Sequence, residues 1–140
     1  MRHEQTTTAP AAADALADVL SPHTTMLLTT FRKDGTPGCS PVSVAVDDGR
    51  RIFFRSYAET WKAKRLRRDP RALVTPSTLR GRPIGPTLPA RARLLDGEEA
   101  ATARRLLARR YPVLHGIAVP LAHRIAGYHT VHYELLPESP

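Results

Sequence analysis

The sequence predicts a mainly β protein in which about six antiparallel strands close into a small barrel with flanking helices. Two Asp-Gly turns, at Asp34-Gly35 and Asp48-Gly49, separate three short apolar segments, a pattern typical of an antiparallel meander. At 140 residues the chain is long enough for one modest hydrophobic core. Because a sheet of this size has to protect its edge strands, we expect it to curl and close.

Helices are predicted near the N-terminus, after the third strand and in the last third of the chain. Residues 11–20 predict a short helix that stops before Pro22, because a proline restricts the residue that precedes it. Residues 60–69 predict a second helix, again ended by a following proline. Residues 96–112 carry acids in the first turn and arginines in the last, which the helix macrodipole favours. Residues 113–127 predict a broken helix.

The strands are assigned from short apolar or alternating segments bounded by turn residues. Pro76 predicts that the fourth strand frays or lies at an edge, and residues 80–87, with two glycines and two prolines, predict a loop or a ragged strand. We expect residues 1–22 to form a tail and a short helix, and residues 23–137 to form the barrel domain. The predicted strands are residues 24–32, 39–46, 50–57, 71–78, 88–95 and 128–136.

The composition indicates an anionic partner and argues against several kinds of site. The net charge of +8 favours nucleic acid, a membrane surface or a phosphorylated ligand. The single cysteine, Cys39, excludes an internal disulfide and a cysteine-cluster metal site, and the six histidines form no spaced ligand set. No apolar run reaches the ~20 residues of a membrane span and we see no secretory leader, so we expect a cytoplasmic protein with no membrane or metal partner. The few aromatic residues argue against nucleic acid.

The segment AETWKAKRLRRDPR, residues 58–71, sets six basic residues against two acids. Thr60 has the side chain of an N-cap, which puts Trp61 and Lys62 in the first helical turn. A lysine there opposes the helix dipole, but it converges with free amide groups in an arrangement suited to phosphate. Arg65 lies one turn on and shares the face of Lys62. The remaining helical cations are expected to form a solvated face: Lys64, Arg67 and Arg68.

Three stretches of the chain resemble a known superfamily: MLLTTFRKDGTP, PVSVAVDDGRRIFFRSYAETWKAKRLRRDPRALV and RGRPIGPTLPARARLLDGEEAATARRLLARRY. Together they are similar to the pyridoxamine-phosphate-oxidase-like split β-barrel proteins, and most to the flavin/deazaflavin oxidoreductase branch B. The similarity runs from Thr24 to Leu136, and the Asp-Gly turns and residues 60–71 are its most specific parts. The resemblance implies a homodimeric split β-barrel whose cofactor, coenzyme F420 or alternatively FMN, lies in a groove between subunits.

The resemblance also implies the residues of that groove. The start of the helix after the third strand would hold phosphate, with help from Arg55 on the strand itself. Residues 40–43 would line the part that holds the cofactor ring. Arg80 and Arg82 would meet an anionic tail, or else serve only the solubility of their loop. The implied cofactor-binding residues are Ser40, Pro41, Val42, Ser43, Arg55, Thr60, Trp61, Lys62, Arg65, Arg80 and Arg82.

Two departures from the family's pattern concern the substrate. Relatives often carry a bulky aromatic residue where this chain has Ser43-Val44, and a glycine where it has Trp61. We therefore expect Ser43 and Val44 to form the floor of a substrate pocket and Trp61 to form a wall. Such a pocket would accept polycyclic or otherwise broad molecules.

The sequence offers no constellation of side chains for nucleophilic or acid–base catalysis, and cofactor-driven hydride transfer needs none. The resemblance therefore implies a reductase that moves hydride from reduced F420 to an electron-poor C=C or C=N bond of a small molecule. The alternatives are an FMN-dependent oxidase or reductase, a cofactor- or haem-binding carrier without turnover, and a nucleic-acid-binding barrel. Cys39 is expected in the core or the groove, and the tyrosines at 57, 128 and 133 are expected to pack, unless one donates a proton.

Overall fold

The computed structural model describes residues 9–110 and 129–138, and within them six antiparallel strands close into a barrel. Around the barrel the strands follow the order β1-β2-β3-β6-β5-β4, and β4 pairs with β1 to complete the ring. This architecture confirms the predicted mainly β fold. The elements are α1 (Ala9–Leu20), β1 (Thr25–Phe31), β2 (Pro37–Val46), β3 (Ile52–Tyr57), α2 (Trp61–Arg68), β4 (Arg71–Pro76), β5 (Leu88–Leu94), α3 (Gly97–Arg110) and β6 (Thr130–Pro137).

The two Asp-Gly turns of the meander are both present, but they are built differently. In the first turn Gly35 takes the left-handed conformation, with φ of +87°. In the second turn the left-handed residue is Arg50, with φ of +66°, and not Gly49. The Arg50 guanidinium donates hydrogen bonds to the side chains of Asp14 and Asp18 on α1. The second turn therefore ties α1 to the barrel.

The hydrophobic core fills the barrel, and α1 contributes Leu16, Ala17 and Leu20 to it. Phe54 and Tyr133 are buried neighbours on β3 and β6, and their rings stack with centroids 4.9 Å apart. Tyr133 is thus a packing residue, as predicted. Helix α3 covers a second, smaller cluster around Phe53. The main core includes Leu16, Ala17, Leu20, Met26, Leu28, Val42, Val44, Phe54, Val74 and Tyr133.

The observed bounds agree with the predicted ones to within two residues wherever the chain is described. The prediction of an edge position for the fourth strand, however, is wrong. Strand β4 pairs with both β1 and β5, and it ends at Pro76, which lies buried opposite Met26. The predicted broken helix at 113–127 and Tyr128 lie outside the described residues. None of the described helices is long and apolar enough to cross a membrane.

Candidate functional site

Helix α2 begins where the sequence predicts, because Thr60 caps it. The Ala63 amide donates to Thr60 Oγ1 at 3.3 Å, and Thr60 itself has the extended backbone of an N-cap. The Thr60 hydroxyl also donates to the Tyr57 carbonyl oxygen at 2.8 Å. Thr60 therefore has a structural task that fixes the direction of α2 after β3. The first amide groups of α2 have no partner within the helix and remain suited to an anion.

Three neighbouring cavities run along α2, and together we call them the α2 groove. The proximal cavity, of about 150 Å³, is lined by Pro41, Val42, Ser43, Arg55, Ser56, Tyr57 and Lys62. The middle cavity, of about 400 Å³, is lined by Arg32, Gly38, Cys39, Ser40, Thr60, Trp61, Lys62 and Arg65. The distal cavity, of about 410 Å³, is lined by Arg32, Lys33, Trp61, Lys64, Arg65 and Arg68. The proximal and middle cavities share Lys62, and the middle and distal cavities share Arg32, Trp61 and Arg65, so the three cavities are neighbours along α2.

The proximal cavity holds two cations that lack an anionic partner. Arg55 is half-buried, burial lowers its pKa, and its Nε atom has no hydrogen-bond partner among the described residues. Lys62 is half-buried, and burial followed by the positive charge of Arg65 lowers its pKa. Neither cation forms an ion pair with any carboxylate in the described part of the chain. Because a buried charge without a counter-charge is costly, the site is electrostatically prepared for an anion.

Arg65 reaches into the middle cavity past a glycine whose missing side chain leaves room for it. Its Nη1 atom lies 3.5 Å from Thr30 Oγ1. A Cβ atom built on Gly38 would lie 2.2 Å from the same nitrogen, far inside normal contact. Gly38 on β2 therefore makes room for the Arg65 guanidinium. The sequence-based reasoning did not find Gly38 or Arg32, because both belong to this site only through the pairing of β1 with β2 and the docking of α2.

Most of the predicted cofactor residues do come together. The proximal and middle cavities between them contain Ser40, Pro41, Val42, Ser43, Arg55, Thr60, Trp61, Lys62 and Arg65. Cys39 is exposed and lines the middle cavity, so its groove alternative holds and its core alternative is wrong. Tyr57 lines the proximal cavity.

The predicted substrate pocket is not supported as one pocket. Val44 is fully buried in the barrel core, because alternation along β2 turns Val42 and Val44 inward and Ser43 outward. Placing Val44 on the pocket floor is therefore wrong. Ser43 lines the proximal cavity, whereas Trp61, which is 70% exposed, stands between the middle and distal cavities.

Arg80 and Arg82 do not line the groove. They are exposed on the loop between β4 and β5, which packs through Gly81 at φ of +91°. A Cβ atom on Gly81 would lie 3.5 Å from Leu27 and 3.8 Å from Pro41, so this loop lies beside the proximal cavity rather than inside it.

All three cations predicted on a solvated face are exposed, and two of them, Lys64 and Arg68, also line the distal cavity. Lys64 places its Nζ atom 4.8 Å from the centre of the Trp61 ring, and Arg68 donates to the Phe31 carbonyl oxygen at 2.7 Å. Arg67 lines none of the three cavities. Within the described residues there is no group of three or more His, Cys, Asp or Glu side chains that could hold a metal ion.

The sequence matches the family model described as pyridoxamine 5'-phosphate oxidase over residues 12–133, most of the chain. The chain belongs to the pyridoxamine 5'-phosphate oxidase family. The matched range includes the Asp-Gly turns of the meander, Thr60 and the whole of α2. A comparison with curated proteins finds no significant match.

Solved structures share the split-barrel fold of this family member. The protein Atu2129, of unknown function, from Agrobacterium tumefaciens has a TM-score of 0.71 and 23% identity over 92% of this chain, which spans 54% of the Agrobacterium protein. HutZ, the haem storage protein from Vibrio cholerae, has a TM-score of 0.65 and 14% identity, covering 95% of this chain and 92% of HutZ. A FAD-binding protein from Mesorhizobium loti has a TM-score of 0.58 and 18% identity, covering 91% of this chain and 88% of that protein.

Proposed function

We propose that this protein is an oxidoreductase that binds coenzyme F420, with FMN as the alternative, in the α2 groove. It would reduce an electron-poor C=C or C=N bond of a small molecule. The observation that carries the proposal is the pair of cations without a counter-charge in the proximal cavity, Arg55 and Lys62. Family membership and a FAD-binding neighbour of the same fold support a flavin-type cofactor.

A phosphate group would satisfy this cavity in three ways. It would meet the positive charge of the Arg55 guanidinium and accept a charge-assisted hydrogen bond from the Lys62 ammonium group. It would also meet the positive end of α2, whose first amide groups have no intrahelical partner. Because its negative charge offsets the repulsion between Lys62 and Arg65, binding would raise the depressed pKa of Lys62 toward its ordinary value.

The preference for F420 over FMN rests on charge beyond the phosphate site. The middle cavity adds Arg32 and Arg65 to Lys62, which is more positive charge than one phosphate needs. Coenzyme F420 carries a phosphodiester and additional carboxylates, and the sequence resembles the branch of the superfamily that uses it. When bound, such a deazaflavin supplies a two-electron hydride donor.

The protein's own residues would position and shield the reactants. The β2 residues around Ser43 line the proximal cavity, beside which a cofactor ring held by its phosphate would lie. Tyr57 lines the same cavity and is the tyrosine placed to donate a proton. The groove is open to solvent on one side, so we also propose that a second subunit of a cytoplasmic homodimer covers it. The exposed apolar side chains of Leu79 and Ile84, on the loop beside Pro41, support an interface there.

The experiment that tests the function is titration of the purified protein with F420 and FMN side by side. Trp61 is the only tryptophan and lines the middle cavity, so quenching of its fluorescence reports occupancy directly. We expect F420 to bind more tightly, and reduced F420 labelled with deuterium on its ring carbon to pass the label to product. Label that appears in water, or full activity with FMN alone, would reject the F420 mechanism.

A haem-binding carrier without turnover is the second candidate. HutZ, which shares the fold, is a haem storage protein. Cys39 in the middle cavity offers a thiol close to the cations that would meet haem propionates. Titration with haem separates the two proposals, since only the carrier would give a Soret band that F420 fails to displace.

A further inference from the structure

A further cavity lies away from the α2 groove, between the turn that joins β2 to β3 and the C-terminal part of α3. Its volume is about 590 Å³, which is larger than each cavity of the groove and within the range usual for small-molecule sites. It shares no lining residue with the groove, so the proposed function gives it no role. We call it the turn cavity, and its lining residues are Val46, Asp47, Asp48, Gly49, Leu106, Arg109 and Arg110.

The turn cavity carries acids on one of its two elements and bases on the other. Asp47 and Asp48 belong to the turn, whereas Arg109 and Arg110 belong to α3. Within the described residues no ion pair involves any of these four side chains, although all of them line the same space. The cavity therefore keeps the two sets of opposite charges apart, and a ligand that bridges them can meet both.

Contacts outside the cavity fix the backbone of both elements. The Arg51 amide donates to Asp47 Oδ1 at 2.7 Å, and Arg50 ties the turn to α1 through its hydrogen bonds to two aspartates. On the other side, Glu99 of α3 forms ion pairs with Arg51 and Arg93 of the barrel. A ligand would find the two elements already in position, which reduces the entropic cost of binding.

The charges and the apolar residues of the lining together select the class of ligand. An anion would be attracted by the arginines and repelled by the aspartates, and a cation would meet the reverse. A zwitterion avoids both penalties, because its ammonium group can meet Asp48 while its carboxylate accepts charge-assisted hydrogen bonds from Arg109. The half-buried side chains of Val46 and Leu106 offer apolar contact to the body of such a molecule.

We propose that the turn cavity binds a zwitterionic small molecule with an apolar body, of the class of apolar α-amino acids and short peptides. Two sources share this chemistry. One is a free amino acid, whose two charges lie on the same carbon or next to it. The other is a dipeptide, which holds its ammonium and carboxylate groups further apart. The inference goes beyond the proposed function and does not depend on it.

The test is an NMR titration of isotope-labelled protein at neutral pH with four probes. Leucine and the dipeptide Leu-Leu are the zwitterions, N-acetyl-leucine lacks the ammonium group, and leucinamide lacks the carboxylate. The variants are Asp48→Asn and Arg109→Ala, chosen because neither side chain makes a hydrogen bond within the described part of the chain. The matched controls are Glu98→Gln and Arg104→Ala, which change exposed charges of α3 that do not line the cavity.

We expect at least one zwitterion to give saturable shifts at the amides of Asp48, Gly49 and Leu106, with weak affinity because the charges are exposed. N-acetyl-leucine and leucinamide should each bind roughly two- to fivefold more weakly than leucine. If Leu-Leu binds more tightly than leucine, the ligand is of the peptide type, and the reverse order identifies a free amino acid.

The variants should discriminate between the probes by the charge that each probe lacks. Arg109→Ala should weaken the zwitterions and N-acetyl-leucine roughly two- to fivefold and leave leucinamide unchanged. Asp48→Asn should weaken the zwitterions and leucinamide and leave N-acetyl-leucine unchanged. Glu98→Gln and Arg104→Ala should leave the affinities of all four probes close to those of the native protein.

Three results would overturn the proposal. They are the absence of saturable shifts with both zwitterions at millimolar concentration, equal affinity for leucine, N-acetyl-leucine and leucinamide, and losses in the control variants as large as those in Asp48→Asn and Arg109→Ala. None of these results bears on the proposed function, because binding of F420 or FMN is reported by Trp61, which lines the α2 groove.

Discussion

Replacing Lys62 with alanine tests the phosphate site most directly. Lys62 lines the proximal and middle cavities, and no described carboxylate neutralises it. A charge-assisted hydrogen bond to phosphate contributes about 1.5–3 kcal/mol, and the half-buried position of Lys62 favours the middle of that range. We therefore expect Lys62→Ala to weaken the cofactor by about 2 kcal/mol, or roughly 30-fold.

The control is Arg67→Ala, which removes one positive charge from the same helix outside the three cavities. A charge about 10 Å away contributes about 0.4 kcal/mol in water, and physiological salt screens much of that. The control should therefore change the affinity less than about twofold. Fluorescence of Trp61 reports binding in both variants, because each of them keeps this tryptophan.

The stability of the Lys62→Ala variant separates lost binding from lost folding. Burial and Arg65 lower the pKa of Lys62, so the folded state disfavours its charged form. At neutral pH the charged lysine therefore lowers the free energy of unfolding. This destabilisation is gone once the pH exceeds 10.5, the ordinary pKa of a lysine, because the side chain is then neutral in both states. Without cofactor, the variant should be at least as stable as the native protein in a denaturant titration. Equal affinity losses in the Lys62 and Arg67 variants would instead mean a diffuse charge patch, with the phosphate site misplaced.

Three further predictions follow from single contacts. Gly38→Ala should push the Arg65 guanidinium out of the middle cavity and weaken cofactor binding several-fold. The melting temperature should change little, because the displaced group is the end of a flexible side chain. A lower melting temperature without a change in affinity would contradict this prediction. Alkylation of Cys39, followed by mass spectrometry, should slow when cofactor is present, and an unchanged rate would place the ligand elsewhere. Glu134→Gln should cost about 1–3 kcal/mol at pH 7, because Arg51 and Arg93 both pair with this buried carboxylate. Burial raises the pKa of Glu134, but the hydrogen bonds from the two arginines outweigh this effect and leave the pKa below its ordinary value. The loss of unfolding free energy in Glu134→Gln, measured by urea titration, should therefore shrink as pH falls below 4.5.

The parts of the site that sequence could predict are those fixed by neighbours along the chain. The Thr60 cap, the start of α2 and the shared face of Lys62 and Arg65 all depend on residues within one or two helical turns. The meander could be predicted equally well, because its turns depend on residues that are adjacent in the sequence. The left-handed conformation of Arg50 could not be predicted, because an arginine does not favour that conformation and the partners that stabilise it lie on α1.

The sequence indicates part of the lining of the distal cavity and cannot indicate the rest. Trp61, Lys64, Arg65 and Arg68 follow the i, i+3, i+4, i+7 spacing of one helical face, so the sequence does indicate that they lie together. What it cannot indicate is that the end of β1 faces them, because that depends on how α2 docks on the barrel. Arg32 thus joined the site only in the folded structure.

The inward turn of Val44 changes how a substrate could reach the cofactor. The expected floor of two small residues is reduced to Ser43, in a cavity of only about 150 Å³ that already holds Arg55 and Lys62 as anion ligands. Ligand sites for small molecules usually enclose about 300–1,000 Å³, so this cavity has room for part of a cofactor and not for a substrate beside it. Strand β2 is fixed in this orientation, because a shift of one residue would expose Val42 and Val44 and bury Ser43. On the proposed function, the substrate must then lie over the outer side of the bound ring, where the described residues of one chain provide no second wall. A second copy of the chain across the groove would supply that wall, in keeping with the proposed homodimer.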